Sequence, residues 1–480
     1  MTELGKTLQA TETPIPGLTV WELPVHGDNR GWFKETWQRE KMVAAGMPDF
    51  GPVQQNISFS EAAGTLRGIH AEPWDKFVSV ASGSVFGAWV DMRSGPTFGT
   101  VFTTEIDPSR AVFVPRGVAN SFQTLEPNTY YTYLVNDHYS PDVKYPSINP
   151  GDENLGIEWP IPLEQAELSA KDRAQGSLAE VIPVLPRKTL VLGASGQLGQ
   201  ALRTAYADAP HVEFADRTDL DLTSDDLGAA RRWRDYGTII NAAAYTAVDA
   251  AETAEGRVAA WAANVTGVAA LARIATAHGI TLVHVSSDYV FDGTATQPYR
   301  EDDALAPLGV YGQTKAAGDQ IVATVPCHYI LRTSWVIGEG RNFVRTMLSL
   351  AERGVDPSVV NDQFGRLTFT SELARAIRHL TETAAPYGTY NVSGAGRASS
   401  WADIAQRTFS LSGHDPSRVS GVSTAAYFGN AKGPVAPRPL NSVLDLSKIE
   451  STGFVPADAD ALLADYVQLE ARETAGSAVT

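Results

Sequence analysis

Short apolar-aromatic runs, separated by Gly, Pro, Asp and Asn, fill the chain up to about residue 180. Val53–Ser60, Phe77–Val80, Val85–Val90, Val101–Ile106, Ala111–Val114 and Tyr130–Val135 are each of strand length, and only Glu35–Ala45 has helical spacing. Many short strands at regular intervals predict an all-β sandwich or barrel. Beyond residue 187 the rhythm becomes strand, glycine turn, helix. Thr189–Leu192, Thr238–Ala242 and Thr281–Ser286 read as strands, a helix begins at Gln200, and a long one runs from Arg257 to His278. That alternation predicts a parallel sheet with helices on both faces. The expected division is residues 1–176, a linker over 177–187 stiffened by Pro183 and Pro186, and residues 188–480.

Composition narrows the class. A chain of 480 residues exceeds one ordinary core, and 43% hydrophobic with 19% charged residues is a soluble globular balance. A formal net charge of −17 argues against a nucleic-acid partner, although a few Arg and Lys in one cleft can still hold an anionic small molecule. The one cysteine, Cys327, excludes an intrachain disulfide and reads as a small buried hydrophobe. Met1–Ala10 carries no basic-then-apolar leader, and the apolar stretch Val258–Val285 is interrupted by Asn264, Arg273 and His278. The expectation is a core helix and strand, no membrane span, and a cytoplasmic enzyme.

Candidate chemistry in the second half starts at Gly193-Ala194-Ser195-Gly196-Gln197-Leu198-Gly199, directly after a strand and before a helix. Glycines at this spacing let the backbone turn tightly and approach a pyrophosphate, which the helix N-terminus stabilises. Asp216 and Arg217 follow where the second strand should end. The acid suits the free ribose of NADH and the guanidinium suits the extra phosphate of NADPH, so the preference stays open. Tyr311 and Lys315 share one face of a predicted helix, and Ser287 ends the strand upstream. A carbonyl reductase needs an acid for the oxygen as hydride reaches the carbon. Tyrosine with its pKa lowered by a nearby ammonium meets that need, and the serine hydroxyl polarises the same carbonyl.

This half resembles the dTDP-4-dehydrorhamnose reductases, extended short-chain dehydrogenases. The likeness rests on Ile239-Ile240-Asn241-Ala242-Ala243-Ala244-Tyr245-Thr246-Ala247-Val248-Asp249, Asp288-Tyr289-Val290-Phe291-Asp292-Gly293, Arg332-Thr333-Ser334-Trp335-Val336, Asn361-Asp362-Gln363-Phe364-Gly365 and Arg438-Pro439-Leu440-Asn441-Ser442. It implies a Rossmann domain with a smaller substrate-binding lobe, and Ser287, Tyr311 and Lys315 as the catalytic trio. Ser287 stands where the family usually has Thr. The resemblance also implies cofactor contacts from the glycine segment, Asp216, Arg217, Asp219, Ala242, Ala243, Ala244, Tyr311 and Lys315. Sugar-nucleotide contacts would come from Thr246, Val248, Tyr289, Trp335 and Arg438. A magnesium ion in this half is left undecided.

In the first half, His70 lies on a strand, with Arg67 and Lys76 nearby and the tyrosine-rich strand Tyr130-Tyr131-Thr132-Tyr133 downstream. No second His follows at metal-site spacing, so no metal is expected. The half resembles the dTDP-4-dehydrorhamnose 3,5-epimerases, metal-free dimeric enzymes with a cupin-type jelly-roll barrel. The matching stretches include Asp28-Asn29-Arg30-Gly31-Trp32-Phe33-Lys34-Glu35, Gln55-Asn56-Ile57-Ser58, Leu66-Arg67-Gly68-Ile69-His70, Ser94-Gly95-Pro96-Thr97-Phe98-Gly99, Leu155-Gly156-Ile157-Glu158-Trp159-Pro160 and Leu168-Ser169-Ala170-Lys171-Asp172. The resemblance implies His70 as base, oriented by Asp172, and Tyr133 as acid. It implies substrate contacts from Arg30, Glu35, Gln55, Asn56, Arg67, Lys76 and Asn120, and a homodimer. Asn120 stands where the family has a second His, and the segment between His70 and Lys76 is short for the family. The implied activity is bifunctional: epimerisation of a dTDP-4-keto-6-deoxy sugar, then NAD(P)H-dependent reduction at carbon 4. The alternative is a reductase whose N-terminal half serves only binding or dimerisation.

Overall fold

The computed structural model describes residues 4–139, 145–224, 226–429, 431 and 433–477. It falls into two compact units, one ending at Pro186 and the other starting at Arg187.

The first unit is built on two antiparallel sheets. One has six strands in the spatial order Gln9–Glu12, Thr19–Glu22, Arg110–Val114, Lys76–Ser82, Thr129–Val135, Gln54–Ser60; the other has four, Leu66–His70, Val118–Thr124, Val85–Asp91, Val101–Ile106. Side chains alternate across each strand, so Val78, Val80, Val112, Val114 and Tyr131 of the large sheet meet Val85, Trp89, Ile106 and Phe122 of the small one in a shared core. The opposite face of the large sheet, with Phe77, Ala111 and Phe113, is also covered, by Met42, Met47 and Phe50 in and after the short helix Arg39–Ala44. Burial on both faces explains why the central strands read as continuous apolar runs rather than clean alternation. The strand Val118–Thr124 escapes the sequence pattern because Asn120, Ser121 and Gln123 interrupt its apolar positions.

The region expected as a linker begins as part of this unit. Leu178, Val181 and Val184 pack against the cluster of Ile69, Val90 and Met92. Val184 N–H donates to the Met92 carbonyl at 2.7 Å and its own carbonyl accepts from Ser94 N–H at 2.9 Å. These apolar residues gain more by packing on the sandwich than by remaining a solvated tether.

The second unit centres on a six-stranded parallel sheet ordered Val212–Ala215, Lys188–Leu192, Tyr236–Asn241, Thr281–Ser287, His328–Thr333, Gly388–Asn391. Leu190, Leu192, Ile239 and Leu282 face the helices Gly267–His278 and Val310–Val322, whereas Val191, Ile240, Val283 and Leu331 face Gln197–Ala205 and Thr370–Glu382. Each such aliphatic side chain contributes about 1.5–3 kcal/mol by leaving water. The run Ala254–His278 has the length and apolarity to cross a membrane. Its Val268, Leu271, Ala272 and Ala275 are buried against the sheet, and it contains one π-helical turn at Ala262–Thr266. A smaller layer follows, with two-stranded pairings and the helices Phe343–Glu352, Trp401–Leu411 and Ala459–Ser477. Cys327 is half-buried rather than enclosed, because it precedes the strand His328–Thr333 instead of lying within it.

Candidate functional sites

At one end of the sandwich the two sheets open into a cavity of about 990 Å³. His70 and Asn120 reach it from the small sheet, Lys76, Tyr131 and Tyr133 from the large one, and Lys171 and Asp172 from the segment that follows. Asn120 is paired with His70 in register on the neighbouring strand. That close pairing depends on Gly68, whose φ is +122° and whose position leaves a Cβ only 2.6 Å from Ser121 Cβ. Any larger residue would push the His70 strand away.

His70 Nε2 lies 2.8 Å from Asp172 Oδ1, and Asp172 is itself buried at the start of the short helix Ala170–Arg173. The carboxylate holds the ring proton on Nε2 and leaves Nδ1 free to accept a proton. Burial lowers the His70 pKa below 6.5, partly offset by Asp172, with Lys76 and Lys171 lowering it further. Lys76 is fully enclosed and its pKa is pushed down to about 7 by burial. It forms an ion pair with Glu72, and its ammonium sits 5.2 Å from the centroid of the Tyr133 ring. Burial raises the Tyr133 pKa, with Arg67 opposing, so the phenol is a protonated acid near neutral pH. Tyr131 donates to Asn120 Oδ1 at 3.1 Å and stacks on Phe122 at 4.0 Å, which turns the Asn120 amide nitrogen outward as a donor.

Not every expected residue converges here. Arg30 is exposed and paired with Asp28, and Glu35 pairs with Lys41 beside a separate cavity of about 160 Å³. The hairpin Val25–Lys34 that carries Arg30 lies outside both large sheets, so its side chains do not reach the cavity of their own chain. Asn56 is the register partner of Tyr133, whereas Gln55 alternates to the other face and donates to Thr132 Oγ1 at 3.3 Å. Glu72, Lys171 and Tyr145 were not anticipated. The Tyr145 ring is 5.9 Å from that of His70, and Glu72 meets Lys76 through the loop between two strands, where helical spacing gives no signal.

In the second unit, the strand Lys188–Leu192 ends at the point where the sheet order reverses. Gly193 takes φ +78°, and a Cβ there would lie 2.8 Å from Ala243 N. A Cβ on Gly199 would lie 2.3 Å from Gly193 O. Gly196 caps the helix Gln197–Ala205 with no side-chain hydrogen bond, leaving its first N–H groups for an anion. The cradle therefore fits a dinucleotide pyrophosphate. Ser195 is exposed beside it, Leu198 is buried in the core so that only its backbone can face a ligand, and Gln197 donates to Arg341 O at 3.1 Å. Asp216 directly follows the strand Val212–Ala215 but is turned into its own loop, accepting from Thr218 N and Oγ1 at 2.8 and 2.7 Å, while Asp219 accepts from Asp216 N. The Arg217 side chain is 81% exposed, with a 3.2 Å contact to Asp221.

Ser287, at the end of its strand, donates to Asp288 Oδ1 at 2.9 Å. The hydroxyl of the half-buried Tyr311 contacts Ser287, and its pKa is pushed up to about 12, mainly by desolvation, with Asp288 adding to the rise. Lys315 follows Tyr311 by one turn of the helix Val310–Val322. Its Nζ donates to Val285 O at 2.7 Å and meets His284 Nε2 at 3.3 Å, because the sheet beneath the helix offers it acceptors. Tyr289 packs edge-on against Tyr311 with centroids 5.4 Å apart. Arg438, bonded to Asp249 at 2.8 Å, fastens the loop bearing Thr246 and Val248 to the smaller layer. Trp335 adopts φ +48° and stacks on Trp401 at 3.8 Å, a packing partner the sequence did not disclose. Among the described residues, no three His, Cys, Asp or Glu side chains converge as a metal site.

A glycine-cradled switch point with a Ser/Tyr pair beside it defines a dinucleotide-dependent oxidoreductase of the short-chain type, carried on one chain with a two-sheet unit that encloses a His–Asp pair. The chain belongs to the family described as RmlD substrate binding domain, whose model matches residues 187–471, and to that of dTDP-4-dehydrorhamnose 3,5-epimerase, matched over residues 12–180. The first half is 51% identical over 180 residues to a protein RmlC homolog of Streptococcus pyogenes serotype M6, covering 36% of this chain and 90% of that protein. The second half is 38% identical over 288 residues to a dTDP-4-dehydrorhamnose reductase of Aggregatibacter actinomycetemcomitans, covering 56% and 95%. It also superposes on the crystal structure of a dTDP-4-dehydrorhamnose reductase of Bacillus anthracis in complex with NADP, with TM-score 0.54 and 32% identity, covering 59% of this chain and 99% of that one.

Proposed function

We propose that this chain carries out two consecutive steps of dTDP-L-rhamnose synthesis. The first half epimerises dTDP-4-dehydro-6-deoxy-D-glucose at carbons 3 and 5, and the second reduces the resulting dTDP-4-dehydro-L-rhamnose at carbon 4. The observation that carries the proposal is the coexistence of a buried His70–Asp172 pair facing Tyr133 with a glycine cradle beside Ser287 and Tyr311.

In the epimerase half, read as a cupin-type jelly roll, His70 Nδ1 removes the proton beside the ketone, and Tyr133 returns one on the opposite face. Lys76 and Arg67 line the same cavity and stabilise the enolate oxygen, and a lysine that titrates at about 7 can supply that charge or a proton. Asn120 offers a hydrogen bond in place of the family's second His. The intact His70–Asp172 pair favours a working epimerase over a binding module. The homodimer that the family likeness implies would give the exposed hairpin of Arg30, which does not line the cavity of its own chain, a candidate partner surface.

In the reductase half, NADPH or NADH held at Gly193–Gly199 supplies the hydride. Ser287 and Tyr311 bind the ketone oxygen, and Tyr311 gives it a proton. Lys315 lies one helical turn further on. The exposed Arg217 guanidinium, held only by a surface contact to Asp221, and Asp216 spent on its own turn support NADPH as the preferred donor. The test is to supply the pure chain with dTDP-4-dehydro-6-deoxyglucose and NADPH and to identify the product by NMR. dTDP-rhamnose is expected. Turnover only after addition of a separate epimerase would refute the first half of the proposal, and no turnover of pre-epimerised substrate would refute the second.

A further inference from the structure

Behind the reductase site, three buried polar side chains form a line that the proposed reaction does not yet use. Asn241, His284 and Lys315 are each 1% exposed. Asn241 and His284 are register partners on adjacent parallel strands, and Lys315 descends onto them from the helix Val310–Val322. The hydrogen bonds along this line have a fixed polarity. Asn241 Oδ1 accepts from Ala243 N–H at 3.2 Å, so its Nδ2 is the atom that faces His284 Nδ1 at 3.1 Å. Nδ1 must then accept, and a neutral imidazole carries its one proton on Nε2. That N–H points at Lys315 Nζ, 3.3 Å away, while Nζ donates to Val285 O at 2.7 Å.

An ammonium has three donors and no lone pair, so it cannot accept from His284; an amine can. The chain of hydrogen bonds is complete only with Lys315 neutral. Charging Lys315 requires the imidazole to move its proton to Nδ1, which then meets the Asn241 Nδ2–H donors. Relief comes only if the amide turns over and gives up Ala243 N–H, in the loop against which Gly193 packs. We propose that His284, oriented by Asn241, is a positioning residue of the reductase that governs the charge of Lys315 one turn from Tyr311, and so sets the alkaline limit of reduction. The proposal rests on the reductase reading above.

As hydride from NADPH forms the new C–H bond at carbon 4, the Tyr311 O–H bond breaks and its proton goes to the substrate oxygen. The phenolate left behind is stabilised by an ammonium at Lys315 and not by an amine, until a proton from water restores it. Other charged groups around Lys315 act in a known sense. Asp319, one turn further on the helix, favours the ammonium, but it is itself paired with Arg332 at 3.0 Å. His284 is held neutral, its pKa far below 6.5 through burial and the Lys315 charge. Burial pushes the Lys315 pKa down to about 8.

The test uses two variants of the full chain. Asn241→Asp keeps the shape and the Ala243 bond but accepts a hydrogen bond from a protonated Nδ1, so Nε2 becomes an acceptor for the ammonium. His284→Gln presents a carboxamide oxygen to the same group. Either change is expected to move the alkaline limb of reductase kcat upward by about one pH unit or more, a gain of about twofold at the pH of half-activity that approaches about tenfold well above both limbs, with the KM for NADPH unchanged. Ring 15N shifts of His284 in the cofactor-free protein supply an independent readout: the Nε2-protonated tautomer in the unmodified chain, the Nδ1-protonated one in Asn241→Asp. A tautomer that is the same in both proteins, or a limb that stays in place in both variants while they still bind NADPH, overturns the inference. If the unmodified chain fails to reduce pre-epimerised substrate at all, it is the reductase reading that falls instead.

Discussion

Asp172→Asn tests the epimerase site with one atom changed. In the native site a charge-assisted bond of 2.8 Å joins His70 Nε2 to a carboxylate that is 5% exposed. Such bonds contribute about 1.5–3 kcal/mol, which alone is a loss of about 10- to 150-fold in stabilising the imidazolium that forms as His70 takes the substrate proton. A second effect has the same sign. An amide can present its NH2 to Nε2, which then must accept, and the ring proton moves to Nδ1, the atom required to be the base. Removal of the carboxylate partner of a catalytic histidine in a serine protease costs about 10⁴-fold through the wrong tautomer. The expected loss for Asp172→Asn is therefore about 10²- to 10⁴-fold. The assay is deuterium uptake from heavy water at carbons 3 and 5 of dTDP-4-dehydro-6-deoxyglucose, followed by NMR without NADPH, so the reductase cannot contribute. Reduction of pre-epimerised substrate by the same sample serves as the control for an intact chain. Exchange within about threefold of the unmodified chain would mean that Asp172 neither orients nor charges the base, and the dyad reasoning would be wrong.

Because burial holds the His70 pKa below 6.5, the base stays unprotonated as pH falls through that value, and the acid limb of deuterium exchange is expected below pH 6.5; a limb above it contradicts the site. Arg217→Ala is expected to weaken NADPH about tenfold or more through one lost phosphate contact while leaving NADH nearly unchanged, measured by fluorescence titration with each cofactor. Gly199→Val places branched carbons where a Cβ alone would sit 2.3 Å from Gly193 O, so it should abolish cofactor binding without touching the epimerase exchange rate. Asp319→Ala strands the Arg332 guanidinium, only 5% exposed, and is expected to cost about 3–5 kcal/mol of reductase-unit stability, read as a lowered chemical-denaturation midpoint.

The parts of the sequence that carried most information were those where periodicity and chemistry coincide. The glycine segment announced its own strand and helix, and Tyr311 and Lys315 were placed on one helix, because both signals are local in the chain. His70 and Asp172 lie 102 positions apart and meet at 2.8 Å only through the fold; their pairing came from family likeness, not from spacing. The same locality limits what spacing can reveal. Lys315 and Tyr311 were placed together because i and i+4 residues share a helix face, a rule that says nothing of the Val285 carbonyl and His284 ring that Lys315 also meets in the sheet below. Trp335 was read as a sugar-nucleotide contact from family likeness, and its stacking on Trp401, 66 positions on in the numbering, appears only in the fold. The His284–Asn241 line was invisible for the same reason: each residue sits in an ordinary apolar strand pattern, and only strand register makes them neighbours.

Joining these two sites in one chain has a thermodynamic rationale that does not depend on how the units are arranged. Epimerisation beside a ketone runs through an enolate that can be reprotonated on either face, so by itself it yields a mixture set by the relative stabilities of the epimers. Reduction of carbon 4 removes the ketone and with it the acidity of the neighbouring hydrogens, which ends the exchange. Each reduced molecule therefore draws the preceding equilibrium forward by mass action. Equal copy number of the two active sites, which a single chain guarantees, keeps the ketone from accumulating whenever the reductase turns over at least as fast as the epimerase. On this argument the selective pressure falls on the ratio of the two rates rather than on either alone, and Asn120, which leaves one fewer proton-carrying group beside His70, lies on the side of that ratio which a slower epimerase would satisfy.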